Sequence, residues 1–282
     1  MRPATIALWH AEASVHAPGP LEDFCERSLT PDEITRANRF VQATSRNQHV
    51  VGRGMARRLL AGERSPAEIR FRYLNHGKPI VEAPTALRRP FNIAHTSGLV
   101  VCGLAIDPEH WLGVDVERLD RRTDPGLAER YFSPPEISLI RDTPPAGRQE
   151  RFLRIWTLKE AFIKALGTGL QTPLEDFAFA DIDADRPTVR WLRPGVDDGR
   201  QWQFWSLEPR PGFIAAVAIG VPTSPGDGPI GEEPPDEASR TATGRLTLAP
   251  SPQVSSPRAA SFSLECHPFE RRVPGAHPRT HP

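Results

Sequence analysis

Lysine is nearly missing from this chain. Of 35 basic side chains only three are lysines, Lys78, Lys159 and Lys164, and two of them share one short stretch, WTLKEAFIKALG, residues 156–167. Cysteine is as scarce: Cys25, Cys102 and Cys266 are scattered, odd in number and at no metal-ligand spacing. Neither a disulfide framework nor a thiolate zinc site is indicated, and a reducing cytoplasm fits best. Long apolar runs are lacking too. Runs such as Leu99 to Ile106 and Phe213 to Val221 fall far short of the ~20 residues that span a bilayer, and the opening MRPATIALWHAEASVH breaks at His10 and Glu12. A soluble, untargeted, cytoplasmic protein with no membrane partner is expected. Nor is there an excess of either charge: 35 basic and 35 acidic residues balance to a formal net charge of +0. Nucleic acid is therefore not an expected partner, and any anionic ligand must be met by a local cluster.

What is present suffices for one large domain or two small ones, each with its own core, in 282 residues. Thr30-Pro31-Asp32-Glu33 and Ser133-Pro134-Pro135-Glu136 each place a hydroxyl N-cap, a proline at the first helical position and a glutamate three residues on, the signature of a capping box. A second helical pattern follows each, RNQHVVGRGMARRLLAG ending at Gly62 and RQERFLRIWTLKEAFIKALG ending at Gly167. A β-type run comes next in both, Ile69 to Leu74 and Phe177 to Ile182. The two caps stand 103 residues apart and the two glycines 105. Two similar α/β halves, 1–110 and 111–221, are the reading, with coincident cap chemistry the alternative. Further strands are expected at Ile6–Trp9, Phe91–His95, Leu99–Ile106, Trp111–Glu117, Val189–Leu192, Trp202–Leu207 and Phe213–Val221, so the fold class is α+β. Beyond Val221 the chain is rich in Pro, Gly and Ser without apolar period, and 222–282 is expected to be a disordered tail.

Candidate chemistry gathers at two places. In WLGVDVERLD, Asp115 and Glu117 lie two apart and project from one face of a strand while Val114 and Val116 face the other. Such a pair becomes favourable with a divalent cation between the carboxylates, and hard oxygen ligands suit Mg²⁺; a solvated acidic face carries the same pattern. In the helix, Trp156, Glu160 and Lys164 are spaced by four and share a face, with Lys159 beside it. A chain that writes arginine wherever diffuse charge is enough, yet keeps lysine here, points to a compact ammonium in a narrow setting, such as one against a phosphate oxygen. The third lysine stands in the turn Gly77-Lys78-Pro79, where a plain exposed turn is the commoner reading, and His95 and Thr96 end the run FNIAHT, where a buried, satisfied histidine is the commoner one.

Taken in order, GKP, FNIAHT, GVDVE and WTLKEAFIK, then GTGLQTPLEDFAF, resemble the 4′-phosphopantetheinyl transferases of the longer, single-chain, pseudo-dimeric type that activates surfactin synthetase. The resemblance runs from about Thr30 to Val221. It implies two pseudo-twofold halves and a Mg²⁺-dependent enzyme that moves the phosphopantetheine arm of coenzyme A onto a serine of an acyl- or peptidyl-carrier protein. It implies Asp115, Glu117 and Glu160 as the metal carboxylates, and Lys164 as the phosphate-binding lysine. Glu160 is implied as ligand or general base, and Asp115, Glu160 and Lys164 form the catalytic set. Lys78, His95, Thr96, Lys159 and Lys164 are implied as coenzyme A contacts, and Arg36 as a contact to the ribose phosphate. A monomer serving polyketide and peptide assembly lines is implied as well. Arg148, Arg151 and Arg154 offer a basic face to an acidic carrier, with a solvated arginine face the favoured alternative. Ala94 and Thr96 stand where the family commonly has serines, and Gln48 and His49 where it often has an arginine, with Arg46 and Arg53 flanking. The competing readings are a Mg²⁺-dependent phosphodiesterase or nucleotidyl transferase and a non-catalytic coenzyme A binding protein.

Overall fold

The computed structural model describes residues 4–74, 76–124, 126–193, 196–197, 199–222 and 262–270. Through the first part of the chain run β1 (Ala4–Glu12), α1 (Pro20–Glu26), α2 (Pro31–Ala37), α3 (Ala43–Ala61), β2 (Arg70–Tyr73), β3 (Pro79–Ala83), β4 (Phe91–Thr96) and β5 (Leu99–Leu104). Then come β6 (Trp111–Arg118), α4 (Gly126–Tyr131), α5 (Pro134–Asp142), α6 (Arg148–Leu166), β7 (Phe177–Ala180), β8 (Thr188–Trp191), β9 (Gln201–Leu207), β10 (Phe213–Val221) and β11 (Phe262–Pro268). No helix among the described residues is long and apolar enough to cross a membrane.

The two halves share one topology. β1, β5 and β4 pair in that order, with β5 central and antiparallel to both neighbours, and β6, β10 and β9 do the same around β10. Each half sets three helices and a short antiparallel hairpin, β2–β3 or β7–β8, between its first strand and its last two. Both capping boxes form: the Thr30 N–H donates to Glu33 at 3.0 Å, and the Ser133 N–H to Glu136 at 3.1 Å. The same two glutamates then turn inward onto the long helices. Arg57 Nε meets Glu33 at 2.7 Å, and Lys159 Nζ meets Glu136 at 2.8 Å. Arg57 also donates to the carbonyls of Pro66 and Ile69, and Lys159 to those of Leu174 and Phe177, at 2.6–2.9 Å. A buried ion pair persists only where hydrogen bonds satisfy its remaining protons, and here the repeat reproduces the pair together with its carbonyl cage.

Three buried clusters hold the body together. One surrounds α3 with Val50, Val51, Met55 and Leu60, and a second surrounds α6 with Leu158, Phe162, Phe177 and Phe204. The third lies between the sheets, where Leu8, Val101, Val114, Val116, Val217 and Ile219 meet. Valines 114 and 116 therefore face this shared core, and the other face of β6 turns toward α6.

The tail departs from its expected disorder in one place. Residues 262–268 form β11, which pairs in parallel with β1 from Ala4↔Phe262 to His10↔Pro268. Phe262 is buried in the core between the sheets, and the Phe269 N–H donates to the His10 carbonyl at 2.8 Å. FSLECHP has a two-residue alternation that a composition averaged over the whole tail conceals. The rest of the expected disorder, 223–261 and 271–282, lies outside the described residues.

Candidate functional site

The site forms where β6 crosses α6. Gly113 makes the crossing close: a Cβ there would run into the Ala161 carbonyl and the Ala165 N–H, so any side chain would push helix and strand apart. Strand alternation puts Asp115 and Glu117 on the same face as Gly113, looking at α6. From α6, Lys164 Nζ reaches Asp115 Oδ1 at 2.5 Å. Glu160, one turn earlier on the same face, lies within electrostatic reach of both groups.

Burial and crowding set the proton affinities. Burial raises Asp115 above the usual carboxylate range against the pull of Lys164. Burial and then Asp115 raise Glu117. Glu160 is raised chiefly by burial, with Asp115 adding and Lys164 and Arg121 opposing. For Lys164, burial works against the ammonium, but Asp115, Glu160 and Glu117 together outweigh it and raise the group. Carboxylates crowded this way are short of positive charge.

The donor set fits a hard divalent cation. Asp115 Oδ2 is buried and has no hydrogen-bond partner, and Glu117 and Glu160 each lie within electrostatic reach of Asp115. As the side chains stand, no three His, Cys, Asp or Glu groups among the described residues close on one ion. Glu117 accepts from Thr96 Oγ1 at 3.0 Å on one oxygen and is paired with Arg121 on the other.

β4 supplies the adjoining rim. His95 and Thr96 end that strand, and the His95 imidazole is lowered by desolvation first and Lys164 next, with Asp115 opposing. Thr96 bonds Glu117 through its hydroxyl, and its carbonyl accepts from Gln48 Nε2 at 2.7 Å. Gln48 thus braces the rim from α3. Arg36 is exposed on α2 and lines an open pocket with Asp32, Thr35, Arg39 and Phe40. Of the arginines flanking Gln48, Arg46 is paired with Glu26, while Arg53 is buried against the rings of Phe71 and Tyr73.

Two lysines expected at the coenzyme are turned elsewhere. Lys159 is 0% exposed, caged by Glu136 and two carbonyls, and lies over the Phe177 ring. Five residues at about 100° each place it some 140° around the helix from Lys164, so it cannot share that lysine's ligand. Lys78 Nζ donates inward to the carbonyls of Leu112 and Ala165. The arginines of α6 are also engaged within the chain. Arg148 donates to two carbonyls, Arg151 pairs with Asp183, and Arg154 pairs with Glu150. Sequence reasoning missed Arg121, which stands just past the VDVER motif, and Asn92, which lies inside FNIAHT and accepts from the Val114 N–H at 2.9 Å.

Comparison with known proteins agrees with this geometry. The family model of the 4′-phosphopantetheinyl transferase superfamily matches residues 112–218, the span from β6 to β10. The 4′-phosphopantetheinyl transferase HetI of Nostoc sp. is 34% identical over 198 residues, covering 68% of this chain and 78% of the relative. The 4′-phosphopantetheinyl transferase ffp of Bacillus subtilis is 30% identical, covering 72% and 93%. The L-aminoadipate-semialdehyde dehydrogenase-phosphopantetheinyl transferase of Rattus norvegicus is 30% identical, covering 76% and 74%. With its twice-repeated topology and its site at the β6–α6 crossing, the chain belongs to the 4′-phosphopantetheinyl transferase superfamily, in its longer single-chain form.

Proposed function

We propose that this protein transfers the 4′-phosphopantetheine arm of coenzyme A, with Mg²⁺, to a serine hydroxyl of an acyl- or peptidyl-carrier protein. The observation that carries this reading is the meeting of Asp115 and Glu117 with Glu160 and Lys164, around a buried carboxylate oxygen that has no partner. Asp115, Glu117 and Glu160 would hold the ion, which when bound supplies positive charge at the pyrophosphate. Lys164 offers a second positive charge to the phosphoryl oxygens, as an attack on an already anionic phosphorus requires. Glu160, raised above the ordinary carboxylate range, takes the serine proton. The serine oxygen bonds to the phosphorus bearing the pantetheine arm as the bond from that phosphorus to the bridging oxygen breaks, and adenosine 3′,5′-bisphosphate leaves. His95, Thr96 and Arg36 border the coenzyme. The protein works as a monomer in the cytoplasm, with halves 1–110 and 111–221 and the site between them. Polyketide and peptide carriers are the partners we favour.

The test is to incubate the chain with coenzyme A, Mg²⁺ and an apo carrier protein, and to weigh the carrier. A gain equal to phosphopantetheine, abolished by chelation, is expected. Hydrolysis of coenzyme A without a gain in carrier mass, or binding with neither, overturns the reading.

A further inference from the structure

Lys78 lies outside the reacting cluster yet touches both of its walls. From the turn between β2 and β3, its Nζ donates to the Leu112 carbonyl on β6 at 3.1 Å and to the Ala165 carbonyl on α6 at 2.7 Å. Leu112 precedes Asp115 by one strand repeat and a residue, and Ala165 follows Lys164 directly. Leu112 and Val114, two apart, present their backbone groups to the same edge of β6. The Val114 N–H goes to Asn92 on β4, not to β10, so this is the edge that the order β6-β10-β9 leaves open. Open strand edges slip and pair at random unless something satisfies them. Here two side chains from the first half do so.

The lysine suits this task better than it suits a phosphate. Burial alone pulls its ammonium down to about 7, and its Nζ is already given to two carbonyls of the chain. A neutral amine still carries two N–H donors, enough for two carbonyls. Its aliphatic stem runs beside Gly167, where an added Cβ would stand 3.5 Å from Lys78 Cδ, so the contact extends around the end of α6.

We propose that Lys78, with Asn92 beside it, is a positioning residue that clips the open edge of β6 to the C-terminal end of α6, fixing the spacing between Asp115 and Glu117 on one side and Glu160 and Lys164 on the other. The inference rests on reading those four residues as the reacting site. Lys78→Met in the full chain tests it through three readouts: amide exchange over Trp111–Arg118, coenzyme A affinity by calorimetry, and kcat at saturating coenzyme A. Exchange in β6 speeds up about tenfold, and kcat falls at least about tenfold while the coenzyme A Kd moves less than about twofold. A Kd weakened about tenfold with kcat at saturation retained would instead identify a direct ligand contact and overturn the proposal. So would unchanged exchange and unchanged kcat. Should Lys78→Met fail to fold by circular dichroism, Asn92→Ala carries the same expected split, and an unaltered kcat there counts against the clip. If the parent chain moves no phosphopantetheine at all, the functional reading fails, while β6 exchange still decides whether the clip exists.

Discussion

An ammonium held 2.5 Å from a buried carboxylate leaves little room for a wider cation. Lys164→Arg keeps the charge but spreads it over a planar fork. It is expected to lower kcat/KM for coenzyme A at least about tenfold, some 1.4 kcal/mol of transition-state stabilisation. Initial rates decide it, and an arginine variant as fast as the parent removes the steric reasoning. Lys159 makes a different demand, because without it Glu136 stays buried and unpaired by charge. Lys159→Met should therefore cost about 3–5 kcal/mol in urea unfolding, and a loss under about 1 kcal/mol would mean that the cage relaxes. None of the three lysines is a freely solvated surface charge; scarcity made that legible for Lys159 and Lys164, whereas the turn around Lys78 reads equally as plain and exposed. Which of them meets substrate was not legible. A carbonyl cage and a phosphate both call for a compact donor, and helix phase separates the two only once the neighbours of α6 are known. His49 gives a residue-scale pH test. Burial, Arg53 and Arg36 lower its imidazole from 6.5 to about 4. The unfolded chain therefore binds more protons between those values, and stability falls as pH drops through that window. His49→Gln should flatten the acid limb of a denaturation series run from pH 7 to pH 4, and an unchanged limb would place the titrating groups elsewhere.

At the scale of elements, the β6–α6 crossing decides whether a site exists. Gly113→Ala puts a methyl group against the helix backbone at Ala161 and Ala165, where no flexible side-chain end can yield. The expected cost is about 1–3 kcal/mol of stability, with a loss of transfer larger than that destabilisation explains. Parallel measurements of thermal midpoint and rate test it, and full activity with an unshifted midpoint would show that α6 can move away without penalty. Most elements could be read directly, because caps, prolines and period-two alternation are local signals. Phe213–Val221 was placed to the residue, and Leu99–Ile106 ends two residues early, at Leu104. The short helices Pro20–Glu26 and Gly126–Tyr131 were missed, being too brief to show a period. β11 was missed because its seven alternating residues sit in a segment whose composition argues for disorder. The role of Arg121 was invisible for another reason: its partner Glu117 had already been assigned to a metal, and spacing alone does not show which cation a carboxylate meets.

For the whole molecule, the repeat creates two comparable junctions, and the candidate site lies at one of them. β4 approaches the open edge of β6, and the site lies there; the counterpart of that edge, on β1, is closed by β11. The closure reaches across both halves. Phe262 shares the buried core with Trp205 of β9, the His110 ring meets it edge-on, and Arg186 donates to its carbonyl at 2.9 Å while lying over Trp205. A strand tethered by a long connection can detach without the body unfolding, so damage to it costs no more than its docking energy. Burying one phenylalanine is worth about 2–3 kcal/mol, and Phe262→Asp removes that anchor and adds a charge to be solvated. The thermal midpoint should fall by about 5–10 °C for a chain of this size. Amide exchange along Ala4–Glu12 should rise toward that of an open edge, while coenzyme A affinity holds, because the reacting groups sit at the other junction. A midpoint within about 1 °C of the parent, with β1 still protected, would mean that the first half closes its own edge and that β11 only rests upon it.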